Sequence, residues 1–211
     1  SVQIENKNEG SALDKFVGFN LASPALIENK FAKVKSRKDI LLENENGLRL
    51  EDGYNIRIRL HPWVNLGNFT TFSATPAFRF TEFGTELFLD EAAAKFSLFN
   101  TELSASKSAM WWGPGFHGSM LISNNAKALN LVRLRSINSF YLPWMFKNLG
   151  SFGINFFIGQ LEKDRTIPAP RLAGLRLEWS PLPYLVLGAN RTAIMGGEGR
   201  PKPLFNDYVK M

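Results

Sequence analysis

The stretch "YNIRIRLHPW" alternates strictly, with Tyr54, Ile56, Ile58 and Leu60 on one side and Asn55, Arg57, Arg59 and His61 on the other. A strand points successive side chains to opposite faces, whereas a helix repeats at a longer, non-integral period. The run is therefore a strand with one apolar and one strongly polar face. "GLRLEWS" repeats the pattern, with Leu175, Leu177 and Trp179 opposed to Gly174, Arg176 and Glu178. "SFGINFFIGQ" places Phe152, Ile154, Phe156 and Ile158 together and leaves a mixed opposite face.

The same reading predicts strands near 42–50, 54–64, 69–80, 85–92, 96–107, 128–135, 152–161, 171–179 and 184–193, with a weaker one at 15–22. Asp52-Gly53 is a two-residue hairpin signal between two of them. "NLGN" (65–68) and "SPLP" (180–183) are further short turns. "DEAAAK" (90–95) is the one candidate helix and fits a strand connection equally. Residues 1–40, rich in Asn, Lys and Glu, give no clear pattern and suit an irregular or plug-like segment. No repeat or linker divides the chain, so 1–211 reads as a single domain.

Long strands with one apolar side suit two architectures: a soluble sandwich or barrel with the apolar faces inward, or a membrane barrel with them turned to lipid. Three features favour the second. Charges alternate deep inside strands, as a wet lumen allows. Aromatics gather at strand ends, at Trp63, Trp179, Tyr184, Tyr141 and Trp144, as in interfacial girdles. Short turns alternate with long loops. With "SPLP" and "NLGN" on the periplasmic side, strand parity puts 108–127, "EKDRTIPAP" (162–170) and "MGGEGRPKP" outside; the long aromatic segment 136–149 fits awkwardly on the periplasmic side.

Composition narrows the classes further. With no cysteine there is no disulfide, thiolate metal site or Cys nucleophile, and two histidines make a His-based metal site improbable. No uncharged apolar run is long enough for a membrane-spanning helix. Ser1 to Glu5 lacks the basic-then-apolar pattern of a signal peptide, which predicts either a cytoplasmic chain or one numbered after processing or from partway along a longer protein. Residues 1–105 carry 12 Lys/Arg and 14 Asp/Glu, and the remainder 13 and 5, so the net charge of +6 sits in the second half. A basic half attracts nucleic acid, anionic headgroups or acidic polysaccharide. Basic residues alternating with Ile and Leu do not form the continuous patch nucleic acid requires.

Two segments resemble a known family. "WWGPGFHGSMLISNNAKAL" (111–129) and "GQLEKDRTIPAPRLAGLRLEWSPLPYLVLGANRTAIMGGEGRPKP" (159–203) are similar to the Wzi family of outer-membrane capsule-assembly proteins, over roughly residues 96–205. The resemblance implies a large transmembrane antiparallel β-barrel, about eighteen strands in the family, with an internal plug and a lectin-like outer role. It implies a non-catalytic protein without cofactors that attaches or organises capsular polysaccharide. Nine or ten visible strands and the ending "NDYVKM", without a terminal aromatic, depart from the family pattern, and the chain is expected to be a fragment of such a barrel.

Sugar polymers are bound by aromatic rings and by side chains that bond hydroxyls and carboxylates. The outer segments supply Trp111, Trp112, His117, Asn124, Asn125, Asp164, Arg165, Arg171, Glu198 and Arg200. Trp111 and Trp112 either brace a packed loop or meet the sugar; Gly113, Pro114 and Gly115 are turn formers. Asn124 and Asn125 either cap their loop or bond a glycan. Arg57, Arg59, Arg176, Glu178 and Arg191 are expected in the lumen, as paired braces of the wall or as a selectivity element. His117 with Ser119, and Glu162 with Asp164, lack the ordering context of a catalytic site. Expected partners are capsular or other surface polysaccharide, outer-membrane lipid or lipopolysaccharide, and further barrel or complex subunits, with no nucleic acid. The competing readings are a diffusion porin or structural barrel subunit, whose lumen arginines set anion preference, and a soluble β-sandwich binding module.

Overall fold

The computed structural model describes residues 28–34, 47, 50–112, 119, 121–201, 203 and 208. They form one antiparallel sheet in which nearly every strand pairs with its neighbours along the chain. The strands are β1 (Glu28–Val34), β2 (Gly53–Arg59), β3 (Trp63–Leu66), β4 (Thr70–Thr81), β5 (Gly84–Leu98), β6 (Thr101–Ser108), β7 (Leu129–Ser136), β8 (Phe140–Tyr141), β9 (Ser151–Gln160), β10 (Arg171–Leu182) and β11 (Leu185–Met195). The main path runs β1-β2-β4-β5-β6-β7-β9-β10-β11, with β3 on β4 and β8 on β9. Among the described residues the sheet does not close; β1 and β11 are its edges.

The two faces are those of a barrel wall turned to lipid. Ile56, Phe80, Leu87, Phe96, Leu103, Val132, Leu134, Ile154, Leu177 and Trp179 are exposed, while Asn55, Arg57, Asp90, Glu102 and Ser104 are buried. A water-soluble sandwich would show the reverse. Register sets the height of the apolar belt. Lys107, Asn130, Gln160 and Arg171 pair in one outward row across four strands. Eight residues below Arg171, Trp179 pairs with Phe152, which pairs with Phe140. Eight residues of strand span roughly 26 Å, or roughly 20 Å of height at barrel tilt, close to the apolar band of an outer-membrane barrel. The lower girdle is anchored: the Trp179 and Phe152 rings stack 6.3 Å apart and Trp179 Nε1 donates to the Leu149 carbonyl at 2.6 Å.

Several local expectations are corrected. "DEAAAK" is strand, the middle of a fifteen-residue β5. Its alanines are good helix formers, but Ala92 to Ala94 are held between β4 and β6 by two ladders, and tertiary pairing overrides propensity. The expected strand 54–64 is interrupted at Pro62, which lacks the N–H a ladder needs. Asp52-Gly53 does not join two paired strands, because β2 pairs with β1, Gly53 lying opposite Val34. The weak strand at 15–22 and most of 42–50 lie outside the described residues. The segment 136–149 contains the short β8 and a 3-10 turn, Trp144–Leu149, none of it buried. It is tied below the sheet through Asn100, whose side chain donates to the Asn138 carbonyl at 2.9 Å and accepts from the Asn138 amide at 2.8 Å.

One irregularity matters for the site. Pro76 cannot donate, and the β4–β5 register shifts there by one residue, leaving Asp90 unpaired between Leu89 and Glu91. The bulge turns two successive carboxylates to the inner face. Asp90 meets Arg57 Nη2 at 2.6 Å and Arg59 Nε at 3.0 Å, and Glu91 Oε1 accepts from the Ala109 amide at 3.2 Å.

Candidate functional site

The inner face is braced by arginine–carboxylate contacts at several heights. Besides the Arg57–Asp90–Arg59 group, Arg79 Nη2 lies 2.6 Å from Glu86 and 3.5 Å from Glu51. Glu102 accepts two bonds of 2.9 Å from Arg135, with Arg133 at 3.5 Å. Arg176 bonds Glu178. Bidentate and shared pairs of this kind fix rotamers as well as charge. Arg191 is not among them. Pairing of β10 with β11 sets it opposite Leu175, on the outward face, which corrects its expected place in the lumen. A register irregularity between Trp179 and Leu182 fixes the parity of β11, and counting along the sequence does not reveal it.

The segment after β6 leaves on the outer side, as strand parity requires, but its described parts fold onto the inner face instead of forming the rim. Met110 and Trp112 are buried with Leu131 and Phe157, flanked by Ile122, Leu129 and Leu172. Trp112 meets Phe157 edge-on at 5.1 Å and 77°, a favoured aromatic geometry. Its amide donates to the Ile122 carbonyl at 2.9 Å, and Ser119 Oγ donates to the Trp112 carbonyl. Gly174 makes room: a Cβ there would sit 2.2 Å from Phe157 Cε1 and 2.8 Å from Trp112 Cη2. With 3% of its surface exposed, Trp112 offers no ring face to a ligand. Trp111 is half-buried and, with Trp112, roofs a polar chamber of about 300 Å³ lined by Arg135, Asn155, Arg176 and Glu178. His117, Gly113, Pro114 and Gly115 lie outside the described residues.

An opening larger than this chamber lies at the outer end of the sheet. β6 pairs with β5 only up to Ala92, opposite Lys107, so residues 84–91 of β5 rise beyond it with one ladder edge unpaired by β6. A cleft of about 660 Å³ occupies this notch. Arg57, Arg79, Phe88, Leu89 and Asp90 line one side, Lys127, Leu129, Asn130, Gln160, Leu161, Glu162 and Lys163 the other, and Leu50 and Glu51 a third. Arg57 lies 5.9 Å from the Phe88 ring centroid. Exposed Lys127 and Lys163 stand at the mouth. Apolar side chains beside paired charges and exposed ammonium groups suit a ligand with both hydrocarbon faces and many oxygens. Among the described residues no group of His, Asp and Glu is placed to hold a metal ion.

None of the described residues expected at the binding surface lines this cleft. Asp164 and Arg165 are exposed on the 161–170 loop, and Glu198 and Arg200 on the loop after β11. The two loops meet where the Glu198 amide donates to the Pro168 carbonyl at 3.0 Å. Asn124 is half-buried and Asn125 exposed in the turn of the folded-in segment. Arg171 ends the outward polar row and donates to the Tyr208 hydroxyl at 3.2 Å. The lysines at the mouth were missed; the one signal for them was the basic excess of the second half. Glu162 carries a legible electrostatic mark. A hydrogen bond with its own backbone amide, and then the bond from Arg165 Nε at 2.8 Å, hold its carboxyl below the ordinary value of 4.5. A group lowered in this way contributes its stabilisation fully above the ordinary carboxylate range and loses it as pH falls through the lowered value. The 161–170 loop should therefore keep this tie in mildly acidic medium. Carboxyl NMR titration should place Glu162 below 4.5, and Arg165→Ala should move it upward.

Three comparisons bear on these features. A family model described as capsule assembly protein Wzi matches residues 27–211. A Klebsiella pneumoniae protein, described as an uncharacterized 55.8 kDa protein in the cps region, is 29% identical over 111 residues, 52% of this chain and 22% of its own length. A solved structure described as Wzi, an outer membrane protein involved in group 1 capsule assembly in Escherichia coli and a carbohydrate-binding β-barrel, superposes with a TM-score of 0.63 at 22% identity. That match covers 73% of this chain and 35% of the other, and shows that the open sheet has the fold of part of a β-barrel. The chain spans well under half the length of either relative.

Proposed function

The chain belongs to the capsule assembly protein Wzi family, and from that premise we propose that it forms part of an outer-membrane barrel that binds and holds surface polysaccharide without catalysis. The observation that carries the reading is the cleft beyond the end of β6. It sits at the outer end of the sheet, above the apolar belt, and joins Phe88, Leu129 and Leu161 to Lys127 and Lys163. Apolar side chains cover sugar C–H faces, while ammonium and guanidinium groups bond carboxylates and hydroxyls. Asn125, Asp164, Arg165 and Arg200, on the adjoining loops, extend the contact surface. Trp112 acts indirectly, by packing the inner wall behind the cleft. The net basic second half favours a polymer that carries acidic sugars.

The test is retention of capsular polysaccharide by the full-length protein in detergent, across a salt series. Lys127→Glu with Lys163→Glu should weaken binding about tenfold, the sum of two exposed charge reversals, and flatten its salt dependence. Unchanged retention in the double variant, with binding intact in the parent, moves the contact surface away from the cleft.

A further inference from the structure

The outward face carries a second feature that polysaccharide binding does not use. Where neighbouring positions hold Phe, Leu and Val, four alanines meet: Ala92 pairs with Ala74, and Ala94 pairs with Phe72 on one side and Ala105 on the other. They floor an apolar groove of about 730 Å³, walled by Val64 and Phe72 and ending at Lys107. Lys107 lies opposite Ala92 in the register, on the same face as the alanines. It also lines the polar cleft above. Groove and cleft are thus continuous through one residue, one part apolar and facing lipid, the other basic and facing water.

We propose that this pair of features is a docking site for the lipid A part of lipopolysaccharide, with an acyl chain along the alanine groove and a phosphate on the Lys107 ammonium. The proposal rests on the outward face lying in an outer membrane. Depth and charge select the occupant. Lys107 belongs to the polar row with Asn130, Gln160 and Arg171 that caps the apolar belt on the outer side, which is headgroup level in the outer leaflet. One of its three donors goes to the Leu89 carbonyl at 2.5 Å. That bond holds the ammonium at the mouth of the groove and leaves donors for an anion. Lys127 and Lys163 add positive charge above it. A zwitterionic phospholipid brings its own ammonium and gains little here. A phosphorylated, acylated sugar brings anionic phosphate with no cation, and its sugar rises toward the cleft.

The experiment uses the full-length protein in nanodiscs of phosphatidylethanolamine, titrated with purified diphosphoryl lipid A and followed by native mass spectrometry. The parent protein should show a saturable lipid A adduct, preferred over phosphatidylethanolamine by about tenfold. Lys107→Gln should lower that preference about tenfold, one charge-assisted phosphate bond. Ala94→Trp, and the milder Ala105→Leu, should remove the adduct by filling the groove, with heat-modified gel mobility reporting an intact barrel. Equal retention of both lipids by the parent, or an adduct indifferent to all three substitutions, overturns the proposal. Polysaccharide retention is measured on the same preparations. Absence of a lipid A adduct from the parent protein with glycan still bound defeats this inference alone, and a parent that takes lipid A but no glycan defeats only the polysaccharide reading.

Discussion

Asp90→Ala is expected to destabilise the sheet by about 3 kcal/mol, at the lower end of the cost of removing one partner from a buried ion group. Asp90 is shared by two guanidinium groups, and the Arg57 and Asp90 side chains are 5% and 8% exposed. Truncation leaves both cations close together without their carboxylate. The lower figure applies because the group borders the cleft, where water can approach. Replacing the whole group, as Arg57→Met, Arg59→Met and Asp90→Leu together, should cost less than Asp90→Ala alone, since no unpaired charge remains. Denaturant unfolding in lipid vesicles checks both variants. A triple replacement that unfolds more readily than the single truncation would show that the ionic group itself, and not merely its completeness, holds the wall.

Trp112→Ala carries the second large expected effect. Deleting a buried large aromatic costs about 3–5 kcal/mol, partly as lost transfer and partly as cavity. The ring is 3% exposed and packs between Phe157 and the space kept open by Gly174. The loss should fall on the folded-in segment, because the strands keep their own ladders. Among the described residues of that segment, the Trp112 amide, which bonds Ile122, should lose exchange protection while those of β9 and β10 retain theirs. Trp111→Ala, at a half-buried site, should do much less. A fall in polysaccharide binding with exchange unchanged would instead make Trp112 a direct contact.

The strand content of this chain was legible because a pleated strand imprints its period of two directly on the sequence. "YNIRIRL" became β2 and "GLRLEWS" the centre of β10, with faces as the alternation assigned them. The decision between lipid and water was legible too, from charges placed deep within strands. What the pattern did not reveal was pairing. Gly53 borders β1 through a long connection, and no local turn signal predicts that. Arg191 changed faces because of a single irregularity near a hairpin. The cleft was invisible for a further reason: it results from a difference in where two neighbouring strands end, and its residues come from seven separate stretches of chain. Strand parity places the tryptophan pair on the outer rim, whereas Trp112 is buried on the inner face, and that packing depends on the absence of a side chain at Gly174, far along the chain.

The unequal lengths of β5 and β6 have a consequence for variation among homologous chains. A binding surface made of loop tips is redrawn whenever a loop changes sequence or length, and loops tolerate such change readily. Here the opening is framed by the backbone of a strand that outlasts its neighbour, fixed by the ladder to β4 on its other side. Loop exchange can therefore redraw the chemistry of the rim while the aperture keeps its position and width. Lengthening β6 by a single hairpin's worth of residues would do the opposite, closing the aperture without touching any residue that lines it.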